Sequence, residues 1–297
     1  MTSAVVFAYH NVGVRCLSVL LAQNVDVRLV VTHEDNQAET IWFASVKKLA
    51  LEHGLKVLTP ADPNAPEIVE QVRAAQPDFL FSFYYRHMLK APLLKIPKQG
   101  CYNLHGSLLP KYRGRVPINW AVLKGETETG ATLHAMLEKP DAGGIVDQTA
   151  VPILPNDTGR DVFEKVTVAA ELTLHRSLPA LMAGTAKLRP QDLSQGAYFG
   201  GRKAEDGRID WKQPARDIHN LVRAVTRPYP GAFSDTPRGR LQIWRTLPAA
   251  LPATGAPRIY AEGGDVLAQC GDGVLKIIDA ELEGRPLRAA LLPMPLE

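Results

Sequence analysis

Cysteine is scarce in this chain. Cys16, Cys101 and Cys270 stand far apart, with no C-x-x-C pair and no histidine at ligand spacing. An odd, scattered set of thiols argues against a disulfide framework and against a zinc site, so no metal is expected. Long apolar runs are missing too. None approaches the roughly 20 residues that a membrane helix needs. "MTSAVVFAY" lacks a basic start and is too short for a signal peptide, so it reads as a first strand and a soluble, cytoplasmic protein is expected. No charge of one sign dominates. Thirty-four Lys and Arg against 31 Asp and Glu leave a net charge of +3, which demands neither a nucleic acid nor a membrane as partner. The 45% apolar and 22% charged composition gives no sign of disorder. A glycine-rich dinucleotide turn is also lacking. The first strand–helix junction, "AYHNVGVR", has one glycine, which argues against a nicotinamide enzyme. No internal repeat is visible.

What is present is an alternation of strand and helix patterns. "AVVFAY" (4–9) is a continuous apolar run, as expected of a strand buried on both faces. "GVRCLSVLLA" has helical spacing, "VRLVVT" (27–32) is a strand, and "AETIWFASVKKLALEHG" (38–54) reads as a helix stopped by Gly54. The series continues with the strand "LKVL", the helix "APEIVEQVRAAQ" and the strands "DFLFSF" (78–83) and "GCYNLH" (100–105). The order implies a doubly wound, Rossmann-like parallel sheet of the α/β class. "TGATLHAML" and "GIVDQTAVPIL" are β-rich, and a long helix is expected from Asp157 or Thr158 to Gly184. A linker is expected over 188–205, separating a domain of residues 1–187 from a smaller one over 206–297. That second part holds one helix, "PARDIHNLVRAVT", and short strands broken by Gly and Pro, the pattern of a small β-barrel of the OB type.

Chemistry-bearing residues gather where strands end. On a strand over 100–105, Asn103 and His105 share one face, ~7 Å apart. They sit at the carboxyl end of a parallel strand, the edge where open α/β sheets bind ligands. An amide and an imidazole there can hold a carbonyl oxygen and move a proton, although a plain surface loop after a buried strand fits as well. Asp141, in "EKPDAGG", is either a turn residue or a carboxylate carried to a histidine by a rigid loop. Tyr84, Tyr85 and His87 in "SFYYRHML" line the same edge or simply cover a strand end. Arg86, Lys111, Arg113 and Arg202 are cations that can meet a diphosphate, and Tyr85, Tyr198 and Phe199 are rings that can cover a base or sugar; solvated surface is the alternative for each.

The stretch "NLHGSLLPKYRGRVPINWAVLKGETETGATLHAMLEKPDAGGIV" resembles the core of the folate-dependent formyltransferases. "DGRIDW", "HNLVRAVTRPYPGAF" and "CGDGVLKIIDA" resemble that family's C-terminal module, so the likeness spans nearly the whole chain. The resemblance implies transfer of a formyl group from 10-formyltetrahydrofolate, as co-substrate, to an amine. It implies that Asn103 stabilises the transition state, that His105 is the catalytic histidine and that Asp141 is the carboxylate tuning it. It also implies folate contacts at His87, Met88 and Leu89, at Arg115, and along Leu137, Glu138, Lys139, Pro140 and Asp141.

Two acceptor classes compete within that family, initiator aminoacyl-tRNA and nucleotide-linked amino sugars. Between His33 and Val46 the chain has three carboxylates and no Lys or Arg, which disfavours a tRNA backbone. "THEDN", "FSFYYRHML" and "YFGGR" look closest to the members acting on UDP-4-amino-4-deoxy-L-arabinose, in the pathway that modifies lipid A and confers polymyxin resistance. Many such members are fused to an oxidative decarboxylase. Here that step is expected from a separate chain, or the acceptor is another amino sugar. Formyltetrahydrofolate hydrolysis, and folate binding without catalysis, remain as alternatives. An oligomer is compatible with the sequence.

Overall fold

In the computed structural model, which describes residues 1–36 and 39–296, the chain divides into two compact units that interleave in sequence. The first comprises Met1–Pro117, Thr129–Val151 and Glu164–Phe199; the second comprises Ile118–Glu128, Pro152–Phe163 and the residues from Gly200 onward. Among the described residues, no helix is long and apolar enough to cross a membrane.

The elements run β1 (Ser3–Ala8), α1 (His10–Ala22), β2 (Asp26–Val31), α2 (Val46–Glu52), β3 (Val57–Leu58), α3 (Pro66–Ala74), β4 (Phe79–Phe83), α4 (Ala91–Leu94) and β5 (Gly100–His105). After β6 (Arg113–Gly114) and α5 (Pro117–Leu123) come β7 (Glu128–Ala135), β8 (Ile145–Pro152), α6 (Gly159–Met182) and β9 (Tyr198–Phe199). One sheet has the order β3-β2-β1-β4-β5-β7-β8. Its strands from β3 to β5 are mutually parallel, and β7 is antiparallel to β5. The expected doubly wound sheet is therefore present, mostly parallel with an antiparallel flank. Strand order reverses between β1 and β4, which creates a crevice at their carboxyl ends.

The apolar run of β1 is buried throughout because both faces are covered. Val5 and Phe7 join Leu29, Leu80, Val69, Val72 and Leu93 in one cluster, under α3 and α4. Ala4, Val6 and Ala8 alternate to the other side, where α1 buries Val12, Cys16, Leu17 and Leu20. Two expectations need adjustment. The helix expected over 38–54 begins only at Val46, with Ser45 as N-cap; Ala38 lies outside the described residues. Trp42 and Phe43 are drawn instead into ring contacts with His10, at 4.7 and 3.9 Å, so tertiary packing overrides helix propensity. The long helix does start after Thr158, which exchanges hydrogen bonds with Asp161 in a capping box.

In the second unit, α7 (Ala215–Val225) precedes β10 (Ala232–Thr236), β11 (Gly239–Pro252), β12 (Arg258–Glu262), β13 (Asp265–Gln269), β14 (Gly273–Leu282), β15 (Arg285–Pro286) and β16 (Met294–Pro295). The antiparallel sheet β10-β11-β14-β13-β12-β16 curls as the barrel pattern requires. Register breaks along β11, between Ile243 and Arg245 and again before Pro252, supply local twist. Ile218, Val222 and Val225 form the buried stripe of α7, and Trp211 is fully buried.

The carboxyl edge of the first sheet is filled by rings. His33 stacks on Tyr85 at 4.2 Å, His10 stacks on Phe43, and the Arg86 guanidinium lies 4.8 Å over Tyr9 while both its arms hold Glu39. Burial pushes His10 down to about 3 and His33 down to about 4. Their folded values lie below the ordinary ~6.5, so the unfolded chain takes up protons that the folded chain does not. Stability from these rings is complete above that value and is lost as pH falls towards their folded values.

Two outcomes are expected. Leu104 and Leu133 are cross-strand partners, both buried, on β5 and β7. Leu104→Ala should lower unfolding free energy by about 2–5 kcal/mol in urea titrations, through the cavity it leaves. Lowering the pH from 7 to 5 should lower the urea midpoint. His10→Asn, which tolerates the left-handed φ of +66° and does not titrate, should flatten that slope by at most about 1.4 kcal/mol per pH unit.

Candidate active site

β5 and β7 bring the first polar residues together. Asn103 pairs directly with His134 across the two strands, and His105 pairs with Thr132. Side chains alternate, so these four share one face while Leu104 and Leu133 occupy the other. The Asn103 amide nitrogen lies 3.1 Å from His134 Nε2. His134 Nδ1 lies 2.9 Å from the carbonyl oxygen of Ala135. Thr132 Oγ1 donates to the Ser107 carbonyl and accepts from the Leu109 N–H, so it holds the turn that follows β5. His105 is 6% exposed, and its Nε2 is 2.8 Å from the carbonyl oxygen of Tyr112.

The loop after β7 supplies the carboxylate. Asp141 has φ +51°, a left-handed turn conformation that Asp tolerates. One oxygen, Oδ2, accepts the Gly114 N–H at 2.8 Å. The other, Oδ1, is 3.6 Å from His105 Nδ1 and 3.6 Å from His134 Nε2. These two contacts are ion-pair distances, longer than hydrogen bonds. Burial alone would raise the Asp141 value; His105, His134 and the Gly114 N–H outweigh it and hold the carboxyl well below the usual range. The loop itself is stapled by Gln191, whose amide donates to the carbonyls of Asp141 and Gly143. A Cβ on Gly143 would come within 1.9 Å of the Ala135 carbonyl oxygen, so only glycine lets this loop lie against the end of β7.

His105 and Asp141 thus meet from one strand and one loop, and Asn103, on the same strand, joins them through His134. The other residues singled out by sequence distribute differently. Met88 and Leu137 are 55% and 54% exposed, and His87, Arg115, Glu138 and Lys139 are exposed as well. Pro140 is half-buried. Leu89 is part of the buried core, 3% exposed. Arg113 is buried and donates to the carbonyls of Leu193 and Gly196. Arg202, in the second unit, bonds Asn119 and the Asp206 carbonyl. Arg86 is held by Glu39, one of the three carboxylates noted in the sequence. Tyr84 and Tyr85 are half-buried at the end of β4, Lys111 is exposed, Tyr198 is 56% exposed and Phe199 stacks on Tyr112.

Sequence reasoning missed His134, Gly114 and Gln191. A signal existed for His134, since a period-two count along "ATLHA" places it on the same face as Thr132. No local pattern marks Gly114 as a backbone donor or Gln191 as a staple.

Comparisons with known proteins bear on this site. A family model described as "Formyl transferase" matches residues 15–178, and "Formyl transferase, C-terminal domain" matches 202–291. Among solved structures, the chain is similar to an N-formyltransferase from Helicobacter canadensis in complex with folinic acid and dTDP-3-aminofucose. That match has 22% identity and a TM-score of 0.74, and it covers 93% of this chain and 98% of that one. WlaRD, a sugar 3N-formyl transferase in the presence of dTDP and 5-N-formyl-THF, matches at 23% identity and TM-score 0.71, covering 93% and 97% of the two chains. A sugar N-formyltransferase from Shewanella sp FDAARGOS_354 matches at 20% identity and TM-score 0.66, covering 82% and 96%. At these identities the structural likeness speaks for the fold, and the family model, which spans more than half of the chain, carries the assignment. The chain belongs to the formyl transferase family and has both its N-terminal and its C-terminal domain.

Proposed function

We propose that this enzyme transfers the formyl group of 10-formyltetrahydrofolate to the amine of a nucleotide-linked amino sugar, with Asn103, His105 and Asp141 as its catalytic residues. The supporting observation is that His105 lies against Asp141, and that His134 links both Asp141 and Asn103 on the same face of the β5–β7 pair, in a chain of the formyl transferase family. The sugar class is supported by three structural relatives whose descriptions name sugar N-formyl transfer or a dTDP-linked amino sugar. UDP-4-amino-4-deoxy-L-arabinose, in lipid A modification, is the particular acceptor that the sequence motifs favour.

The chemistry follows from the hydrogen bonds. The amine nitrogen bonds to the formyl carbon while negative charge builds on the formyl oxygen. One N–H of Asn103 is available to that oxygen, a donor worth roughly 3–4 kcal/mol in comparable sites. His105 donates Nε2–H to Tyr112, so in the neutral ring Nδ1 holds the lone pair and is set to take the amine proton. The imidazolium so formed lies against Asp141 Oδ1. The bond from the formyl carbon to folate N10 then breaks, and the proton passes to the departing nitrogen. Little water reaches this point, which strengthens each electrostatic contact. The folate is assigned to His87, Met88 and Leu89, Arg115 and residues 137–141, where exposed Met88 and Leu137 offer apolar cover for a flat ring and Arg115 offers a cation.

The test offers 10-formyltetrahydrofolate with UDP-4-amino-4-deoxy-L-arabinose, dTDP-linked 3-amino and 4-amino sugars, charged initiator tRNA, and no acceptor. Formylated nucleotide sugar is expected, by mass, with tetrahydrofolate appearing only when the sugar is present. Formate release without acceptor would indicate a hydrolase, and formylation of tRNA alone would overturn the sugar reading. His105→Ala should lower kcat by about 10²–10⁴-fold and Asn103→Ala by about 10²–10³-fold, without loss of fold by circular dichroism. Asp141→Asn should lower kcat, because the imidazolium formed on His105 loses the carboxylate beside it. An unchanged kcat would separate Asp141 from His105.

A further inference from the structure

Of the polar side chains on this face that the assigned reaction does not use, Thr132 is taken up by the turn after β5, while His134, 1% exposed, faces the reacting groups. It touches both other components. Its Nε2 lies 3.1 Å from the Asn103 amide nitrogen and 3.6 Å from Asp141 Oδ1, and its ring centre is 6.5 Å from that of His105. Its other nitrogen lies 2.9 Å from the Ala135 carbonyl oxygen. A carbonyl only accepts, so Nδ1 must carry a proton. In the neutral ring Nε2 then has a lone pair, and the Asn103 amide is the donor that reaches it.

We propose that His134 is a positioning residue that sets which end of the Asn103 amide faces the formyl oxygen. The inference rests on the proposed role of Asn103. The two ends of an asparagine amide have nearly the same shape, so packing hardly distinguishes them; hydrogen bonds do. With one N–H given to His134 Nε2, the second N–H of the same nitrogen is left for the oxygen on which charge develops. If the amide turns over, its own oxygen meets that charge and the donor becomes a repulsion. The Ala135 carbonyl fixes the ring's tautomer, the ring fixes the amide, and the amide presents the donor. The three links lie within the antiparallel β5–β7 pair, where Asn103 and His134 are direct partners.

Three groups face His134 besides Asn103, and one of them is the edge of the His105 ring, 6.5 Å away between centres. Asp141 Oδ1 is the competitor, because a doubly protonated His134 would donate to it and turn the amide oxygen inward. The Ala135 carbonyl is the support. Long-range ¹H–¹⁵N spectra of the histidine rings decide between the two states. The wild-type enzyme, with His134→Gln used to assign the signal, is expected to show the His134 proton on Nδ1 and none on Nε2. A ring protonated on Nε2 would overturn the proposal, and this readout does not depend on knowing the acceptor.

Kinetics supply the second arm. His134→Leu is expected to lower kcat about 10–100-fold, part of the effect of losing a transition-state donor, with KM for both substrates nearly unchanged. His134→Gln, whose amide oxygen can accept the same N–H, should recover most of the loss. In an Asn103→Ala background His134→Leu should cost little, since its route to the reaction is gone. An equal loss in both backgrounds would overturn the inference while leaving Asn103 in place. Near-normal kcat in Asn103→Ala alone would instead remove the functional reading on which the inference stands.

Discussion

A carboxylate removed from water must be compensated by its surroundings, and Asp141 imposes that demand on the whole site. Its two oxygens are answered by a backbone N–H from Gly114 on one side and by the rings of His105 and His134 on the other. Desolvation by itself would neutralise the group; the Gly114 N–H and the charge that His105 carries when protonated keep it ionised. Each of those partners comes from a different stretch of chain. The loop carrying Asp141, the end of β5, the face of β7 and the turn at Gly114 therefore have to be in place together, and any one displaced leaves a buried charge without its partner.

The sheet makes that assembly possible. Parallel strands alone would end side by side at one edge and offer only loops there. The antiparallel β7 runs back along β5, so that a second row of side chains faces the first in register. Asn103 opposite His134 and His105 opposite Thr132 follow from that register without further adjustment. Leu104 and Leu133 fill the opposite face, and a one-residue slip would exchange the polar set for the apolar one. Burial behind the site is thus also what fixes its geometry. Gly143 and Gln191 complete it by letting the Asp141 loop press on the end of β7 and by tying its carbonyls.

The topological switch point between β1 and β4 is used differently. Rings and a clamped arginine fill it, with His10 and His33 held neutral by burial. The segment after β2, which composition marks as acidic, places Glu39 on Arg86 and Asp35 on the Tyr9 hydroxyl. Its carboxylates are spent on the protein's own cation and hydroxyl, and its two aromatic residues are taken from what reads as a helix start.

Periodicity settled much of this protein in advance. The apolar runs defined the first five strands, the period of two placed Asn103 and His105 on one face, and the Pro and Gly around Asp141 marked a rigid turn. Those are local properties, set by the pleat of a strand and by the few conformations that Pro and Gly allow. The motifs also carried the family. What they did not contain was the identity of partners. That Asn103 meets His134, that a backbone N–H at Gly114 caps the carboxylate, that Gln191 holds the loop from 50 residues away, and that Trp42 and Phe43 leave a helix to cover His10 are decided only when distant segments meet. Alternation along a strand fixes the direction of a side chain; what it faces depends on which strand lies beside it and in what register, and that is a property of the folded sheet.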